Sequence, residues 1–204
     1  MEYRGISRAK YHRVLDEIVI DSQELLDFYL QFPQECHLPW NEFKLKYNPN
    51  NPYRRKLTDD FKQVYAPLHK GLELIEYPYI QDLLKKFNFK NPLTVTDVQI
   101  LAYNPGFEFK PHIDAEVNWS MFIPIVPNYE SEPLVYHQGH NHRKPGDEIY
   151  RVYYSTDHPT LTDGTVIHRV PCIQAPRVLL RIRSGDETYN ELIDKIDNEQ
   201  FFNL

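Results

Sequence analysis

The sequence is short of the features that most quickly assign a protein to a class. Of its 204 residues only Cys36 and Cys172 are cysteine. They make no CxxC pair and no disulfide framework, which points to a reduced, cytoplasmic compartment. Apolar runs fall well short of the roughly 18 residues of a membrane helix, and the N-terminal stretch MEYRGISRAKYHRV lacks the apolar core of a secretory signal. Excess positive charge is lacking too: 23 Lys and Arg stand against 29 Asp and Glu, for a net charge of −6. That balance argues against a nucleic-acid partner held through phosphates, and Arg54-Arg55-Lys56 reads as a solvated face. Glycine is scarce, with 7 residues against 16 prolines, so many turns and edges are expected to carry proline. There is no internal repeat and no low-complexity tract.

What is present is bulk. Hydrophobic residues make up 41% and aromatic residues 14%, with 15 Tyr and 11 Phe, enough for a substantial core in a single domain, 1–204. The pattern changes near Asn91-Pro92. Before it, Asp21-Ser22 caps a helix through Leu25, Phe28 and Leu30. Thr58-Asp59-Asp60 opens a second through Phe61, Val64, Tyr65 and Leu68, and Ile80, Leu83, Leu84 and Phe87 suggest a third. Residues 1–91 are therefore expected to be a helical support region. From Thr94 the period is roughly two. Candidate strands are Thr96–Tyr103, Phe107–Pro111, Trp119–Val126, Leu134–His137, Ile149–Tyr154, Gly164–Val170 and Arg177–Ile182. Residues 185–204 read as an amphipathic helix on Tyr189, Leu192, Ile193 and Ile196. The fold class is α+β, with helices packed on a β-sandwich or barrel.

Two stretches carry the chemistry. In Tyr103-Asn-Pro-Gly106-Phe-Glu-Phe109-Lys-Pro-His112-Ile-Asp114, His112 and Asp114 are two apart, so on an extended strand both project to one side. In Gly164-Thr-Val-Ile-His168-Arg-Val, His168 lies on a later strand. Two neutral imidazoles and one carboxylate on one face of an octahedral ion leave three positions open, the donor set of non-haem Fe(II) oxygenases. Arg177 and Arg181 share strand parity, and either fits a carboxylate in a bidentate fork.

With those residues in view, the sequence resembles the Fe(II)/2-oxoglutarate-dependent oxygenases. The frame of Tyr103, Gly106, Phe109, Pro111, His112 and Asp114 is similar to the metal segment of prolyl 4-hydroxylases. The segment Phe122–Val126 and the run from His168 to Arg177 resemble aspartyl β-hydroxylase-like and free-proline hydroxylase enzymes. The resemblance covers roughly residues 94–183. It implies a double-stranded β-helix, or cupin-like jelly roll, over residues 92–184. It also implies Fe(II) on His112, Asp114 and His168, with 2-oxoglutarate and O2 as co-substrates. Arg177 takes the place of the family's clamp for the 2-oxoglutarate tail. Family members often carry Tyr where Phe109 stands, and Phe109 has no hydroxyl to donate; Tyr103 and Ser120 are the candidates to replace it. The implied reaction is hydroxylation of an amino-acid or peptidyl, prolyl-like C–H bond, with release of succinate and CO2. The partner is then a small molecule or peptide, with no membrane involved.

Plainer readings stand beside these. A cupin-like protein holding a metal or small molecule without catalysis is the alternative, and a nucleic-acid demethylase of the same superfamily is disfavoured by the acidic charge. His137, His140 and His142 read as a polar loop rather than a second metal site, with a lid over the site as a further possibility. Cys172 reads as a buried inert thiol, and Trp119, Tyr153 and Tyr154 as core or pocket wall. Arg181 is open between a substrate carboxylate and a structural ion pair.

Overall fold

A computed structural model describes residues 10–31, 63–66, 74–94, 97–103, 106–114, 116–126, 132–139, 141–175 and 177–203. Its core is two antiparallel sheets. The strands are β1 (His12–Val14), β2 (Gln63–Ala66), β3 (Val98–Tyr103), β4 (Phe109–His112) and β5 (Trp119–Val126). They continue with β6 (Leu134–His137), β7 (Glu148–Val152), β8 (Thr160–Asp163), β9 (His168–Val170) and β10 (Arg177–Ser184). The larger sheet has the order β1-β8-β5-β10-β3-β2 and the smaller β4-β9-β6-β7. This is a mainly antiparallel β protein with few helices, compatible with a sandwich or jelly roll.

Three α-helices are described, and each has a local reason to start. In α1 (Ser22–Leu30) the Asp21 carboxylate accepts from the backbone N–H of Gln23 and Glu24 at 2.9 and 3.0 Å. In α2 (Pro78–Leu84) proline occupies the first turn, where its missing N–H costs nothing. In α3 (Tyr189–Asp197) Thr188 and Glu191 form a reciprocal capping box. A 3-10 turn, Leu74–Glu76, precedes α2. No described helix is long and apolar enough to cross a membrane.

Strand alternation sorts the larger sheet into two faces. Ile100, Trp119, Met121, Ile123, Leu180 and Ile182 point into a core shared with the helices. That core holds Leu25, Phe28, Ile80, Leu83, Leu192 and Ile196, and Phe89 stacks on Trp119 at 5.8 Å. Each fully buried side chain of this size contributes roughly 1.5–3 kcal/mol. Leu101, Tyr103, Phe122 and Leu179 point the other way, against Tyr136, Val152 and Val170 of the smaller sheet.

The structure corrects two expectations. The second helix, on Val64 and Tyr65, is absent over the described residues 63–66. They form β2, which pairs antiparallel with β3 from Gln63↔Tyr103 to Ala66↔Ile100. An aromatic and β-branched tetrapeptide beside an open sheet edge gains a ladder of hydrogen bonds, and that overrides a helical spacing of apolar residues. With β1, this makes two strands in a region expected to be helical. The strand expected over Gly164–Val170 begins only at His168, and Thr160–Asp163 is a separate strand, β8, in the other sheet. The remainder of the expected second helix, the Gln34–Pro52 stretch, Cys36 and Arg54-Arg55-Lys56 lie outside the described residues.

Candidate metal centre

His112 is the last residue of β4, and Asp114 follows two residues later, outside the strand. The Asp114 backbone N–H donates to the Gly164 carbonyl at 3.0 Å, which ties that exit to the turn after β8. Antiparallel pairing of β4 with β9 places His168 directly opposite His112. Their rings sit 4.4 Å apart, centroid to centroid. The Asp114 Oδ1 lies 3.6 Å from His112 Nε2 and 3.9 Å from His168 Nε2. One ligand atom from each residue falls within 4.8 Å of the others, the spacing of a group that could hold one ion. Sequence spacing brought His112 and Asp114 to one side; the β4–β9 pairing supplies His168.

The imidazoles are aimed by their backbones. His112 Nδ1 lies 2.8 Å from the Lys110 carbonyl and His168 Nδ1 lies 2.8 Å from the Val166 carbonyl. A carbonyl only accepts, so each Nδ1 carries the proton and each Nε2 presents a lone pair toward Asp114. His168 is 5% exposed, and burial drives its pKa down to about 4, with Asp114 pulling the other way. It is therefore a neutral ligand at pH 7. Burial pushes the Asp114 carboxyl up, but the His112 and His168 imidazoles and the Arg181 guanidinium around it outweigh that and bring it down to about 2. Two imidazole nitrogens and one carboxylate within ligand spacing of one another fit a divalent first-row ion.

Behind the triad, the inner face of the larger sheet is polar. Arg177 opens β10 opposite Tyr103 and is 1% exposed. Its Nε and both terminal nitrogens find no hydrogen-bond partner among the described residues. The Tyr154 ring lies 4.9 Å from the guanidinium carbon. Burial pushes the Tyr154 phenol up to about 12, with Arg177 pulling the other way. Arg181 sits four residues on, half-buried and opposite Gln99, and one terminal nitrogen donates to the Gln99 Oε1. Its Nε is buried without a partner. Ser120 is buried with an unpartnered hydroxyl. Tyr103 is buried, stacked on Phe107 at 5.1 Å and edge-on to Phe109. Gly106, at φ +85°, takes the left-handed turn before β4 that suits glycine.

Gly164 and Gln99 were not singled out by the sequence. A Cβ on Gly164 would stand 2.9 Å from the Val117 carbonyl and 3.3 Å from Asp114 Oδ2. The Asp-Gly pair after β8 was the available signal. Nothing in its own strand marks Gln99; only its pairing with Arg181 does. His137 is buried on the loop side: its Nδ1 donates to the Gly146 carbonyl at 3.0 Å and its Nε2 accepts from Arg169 Nε at 3.1 Å. His142 is exposed and His140 lies outside the described residues. The only His/Cys/Asp/Glu group with ligand spacing among the described residues is the triad. Cys172, expected to be buried, is exposed; Ile173, at 1% exposure, takes the interior position in that turn. Trp119 and Tyr154 are buried, and Tyr153 is exposed.

No family model matches the sequence, and no curated protein matches it. Among solved structures, an oxidoreductase of the 2OG-Fe(II) oxygenase family from Burkholderia pseudomallei is similar at a TM-score of 0.32 and 12% identity. The match covers 57% of this chain and 60% of that one. The chain thus spans less than two thirds of the length of that protein.

Proposed function

We propose that this protein is an Fe(II)- and 2-oxoglutarate-dependent dioxygenase that hydroxylates an amino-acid or peptidyl C–H bond. The observation that carries the reading is the pairing of a two-His, one-carboxylate group with a fully buried guanidinium, that of Arg177, which lies on the Tyr154 ring and finds no carboxylate among the described residues. A buried cation without a partner is costly for a fold alone and is satisfied by an anionic ligand. The strands β3–β10 divide four and four between the sheets, which supports a jelly roll of the double-stranded β-helix kind over 92–184, with the described helices α1, α2 and α3 packed on its larger sheet.

His112, Asp114 and His168 would hold the iron, and Arg177 would hold the distal carboxylate of the oxo acid. When bound, the pair supplies activation of O2: the oxo acid is oxidised to succinate and CO2, and one oxygen atom becomes the hydroxyl of the product. The protein contributes the rest. The Lys110 and Val166 carbonyls fix the imidazoles with Nε2 presented. Gly164 leaves room for the Asp114 carboxylate. Arg177, on the Tyr154 ring, offers a planar fork in a water-poor interior, where a charge-assisted bond is stronger. Ser120 and Tyr103 are placed on the face where a further donor to the oxo acid is needed.

The test is anaerobic addition of Fe(II) and 2-oxoglutarate, read by the visible charge-transfer band of the chelate. The wild type is expected to give the band, and His112→Ala to lose it. Arg177→Ala should keep it but require about ten- to a hundredfold more 2-oxoglutarate, the loss expected for a buried charged hydrogen bond. No band in folded, metal-loaded protein would move the assignment to a cupin-like binding protein without oxygenase chemistry.

A further inference from the structure

Charge on the inner face goes beyond what the co-substrate uses. Arg177 and Arg181 lie on the same side of β10, and among the described residues no carboxylate comes within 4.0 Å of either guanidinium. Asp114 is the ligand carboxylate of the site. Two guanidinium charges and a divalent ion against one carboxylate leave three positive charges. A dicarboxylate co-substrate removes two and leaves one. Interiors do not hold such a charge without an anion or water to answer it.

The two arginines are not equivalent. Arg177 is at the buried start of the strand, covered by Tyr154. Arg181 is half-buried, about 13 Å further along an extended strand. Beyond Arg181 the strand ends at Ser184, whose carbonyl accepts from Asn118; the Asn118 carbonyl accepts from Gly164 and the Gly164 carbonyl from Asp114, so Arg181 stands on the metal side of Arg177. Gln99 occupies one terminal nitrogen and orients the guanidinium, while the buried Nε finds no hydrogen-bond partner among the described residues. A carboxylate reaching the half-exposed Arg181 from solvent therefore meets a fork already held in place by Gln99, separate from the one that Arg177 offers.

We infer that Arg181 receives a carboxylate of the primary substrate. The reaction then acts on an acid: a free amino acid through its α-carboxylate, or a peptide through an acidic side chain. This rests on the oxygenase reading above. Gln99 is the positioning residue that keeps the guanidinium turned toward the ligand.

The test uses the full chain loaded with Zn(II) as an inert ion and saturated with 2-oxoglutarate, read by thermal shift. The probes are the L-amino acids, their primary amides, and N-acetyl aspartate and glutamate amides. The amides lack the α-carboxylate, while the last two keep only a side-chain one. At least one acid is expected to bind ten times or more tightly than its amide. Response to the capped aspartate or glutamate instead would locate the carboxylate on a side chain and support a peptide substrate. Arg181→Gln should erase the acid preference while keeping the 2-oxoglutarate shift within threefold of wild type, and Arg181→Lys should keep that shift and part of the acid preference. A wild type in which no probe carboxylate improves binding overturns the proposal whether or not the variants fold. So does an Arg181→Gln protein that loses 2-oxoglutarate as severely as Arg177→Ala, since Arg181 would then belong to the co-substrate. A wild type with no 2-oxoglutarate shift overturns the oxygenase reading itself, and this inference with it.

Discussion

Strand β10 belongs to two different interiors at once. Val178, Leu180 and Ile182 enter the core shared with the helices, while Arg177, Leu179 and Arg181 face the smaller sheet. On the first side the strand contributes aliphatic side chains packed among leucines, isoleucines and Trp119. On the second it contributes two guanidinium groups, near the unpartnered Ser120 hydroxyl. A buried polar group without a partner costs roughly 1–3 kcal/mol, and a charged one more. The Tyr154 ring over Arg177 and the Gln99 oxygen on Arg181 answer part of that cost, and no carboxylate among the described residues pairs with either guanidinium, so this side of the sheet carries polarity that the other does not. This is the pattern expected where a fold is adapted to bind.

The sharpest way to break that comparison is to cut both faces of the same strand. Leu180 is 0% exposed, so Leu180→Ala should destabilise by about 2–5 kcal/mol in chemical denaturation, through lost burial and the cavity left behind. Arg177→Met should leave stability unchanged or raise it by about 1–4 kcal/mol, because an apolar side chain replaces an unanswered buried charge. It should nonetheless lose 2-oxoglutarate binding. A destabilisation by Arg177→Met as large as that of Leu180→Ala would make the guanidinium a structural group and remove the contrast.

A smaller effect is expected where the polar face meets the metal triad. Gly164→Ala puts a methyl 2.9 Å from the Val117 carbonyl and 3.3 Å from Asp114 Oδ2. The backbone must shift, at about 1–3 kcal/mol, and Asp114 shifts with it because its N–H is held by the Gly164 carbonyl. Metal affinity measured by competition with a chelator should fall along with stability. Stability that falls while metal affinity holds would mean that Asp114 is not positioned through this turn.

These expectations also mark what the chain announces in advance. His112 and Asp114 are legible because a period of two puts them on one side of a strand, and His168 because the frame around it is distinctive. The boundaries of β5 and β6 match the apolar runs Trp119–Val126 and Leu134–His137, since strands buried along their length leave little ambiguity. The sequence could not show β2, because pairing of 63–66 with β3 is a long-range contact that local spacing does not encode. Nor could it separate β8 from β9, since the break between them depends on a crossing from one sheet to the other at Gly164. Parity suggested that Arg177 and Arg181 share a side. That one is sealed beneath Tyr154 and the other half-open beside Gln99 depends on which strands flank β10, and only the assembled sheet shows it.

Tyr154 offers the finest test of the two interiors, because titratable tyrosines lie in both. Burial raises Tyr154 to about 12 on the polar side, and burial, then Glu24 and Asp21, raises Tyr79 to about 12 on the helical side. An ordinary phenol titrates near 10, as it does in the unfolded chain. Between pH 10 and 12 the unfolded chain has released a proton that the folded chain keeps. Stability is thus fully present below pH 10 and falls as pH rises toward 12. For Tyr154 the loss is on the order of 2 kcal/mol across that window. Tyr154→Phe keeps a ring beneath Arg177 but has nothing to ionise, so its alkaline loss in urea titrations should be shallower than that of wild type by this amount, with the shares of Tyr79, Tyr136 and Tyr189, all raised by burial, remaining. Bound 2-oxoglutarate should steepen the Tyr154 share, because a carboxylate on Arg177 cancels the positive charge that holds the phenol down. An alkaline slope that Tyr154→Phe leaves untouched would assign the effect to the other buried tyrosines, and would show the interior around Arg177 to be wetter than its burial implies.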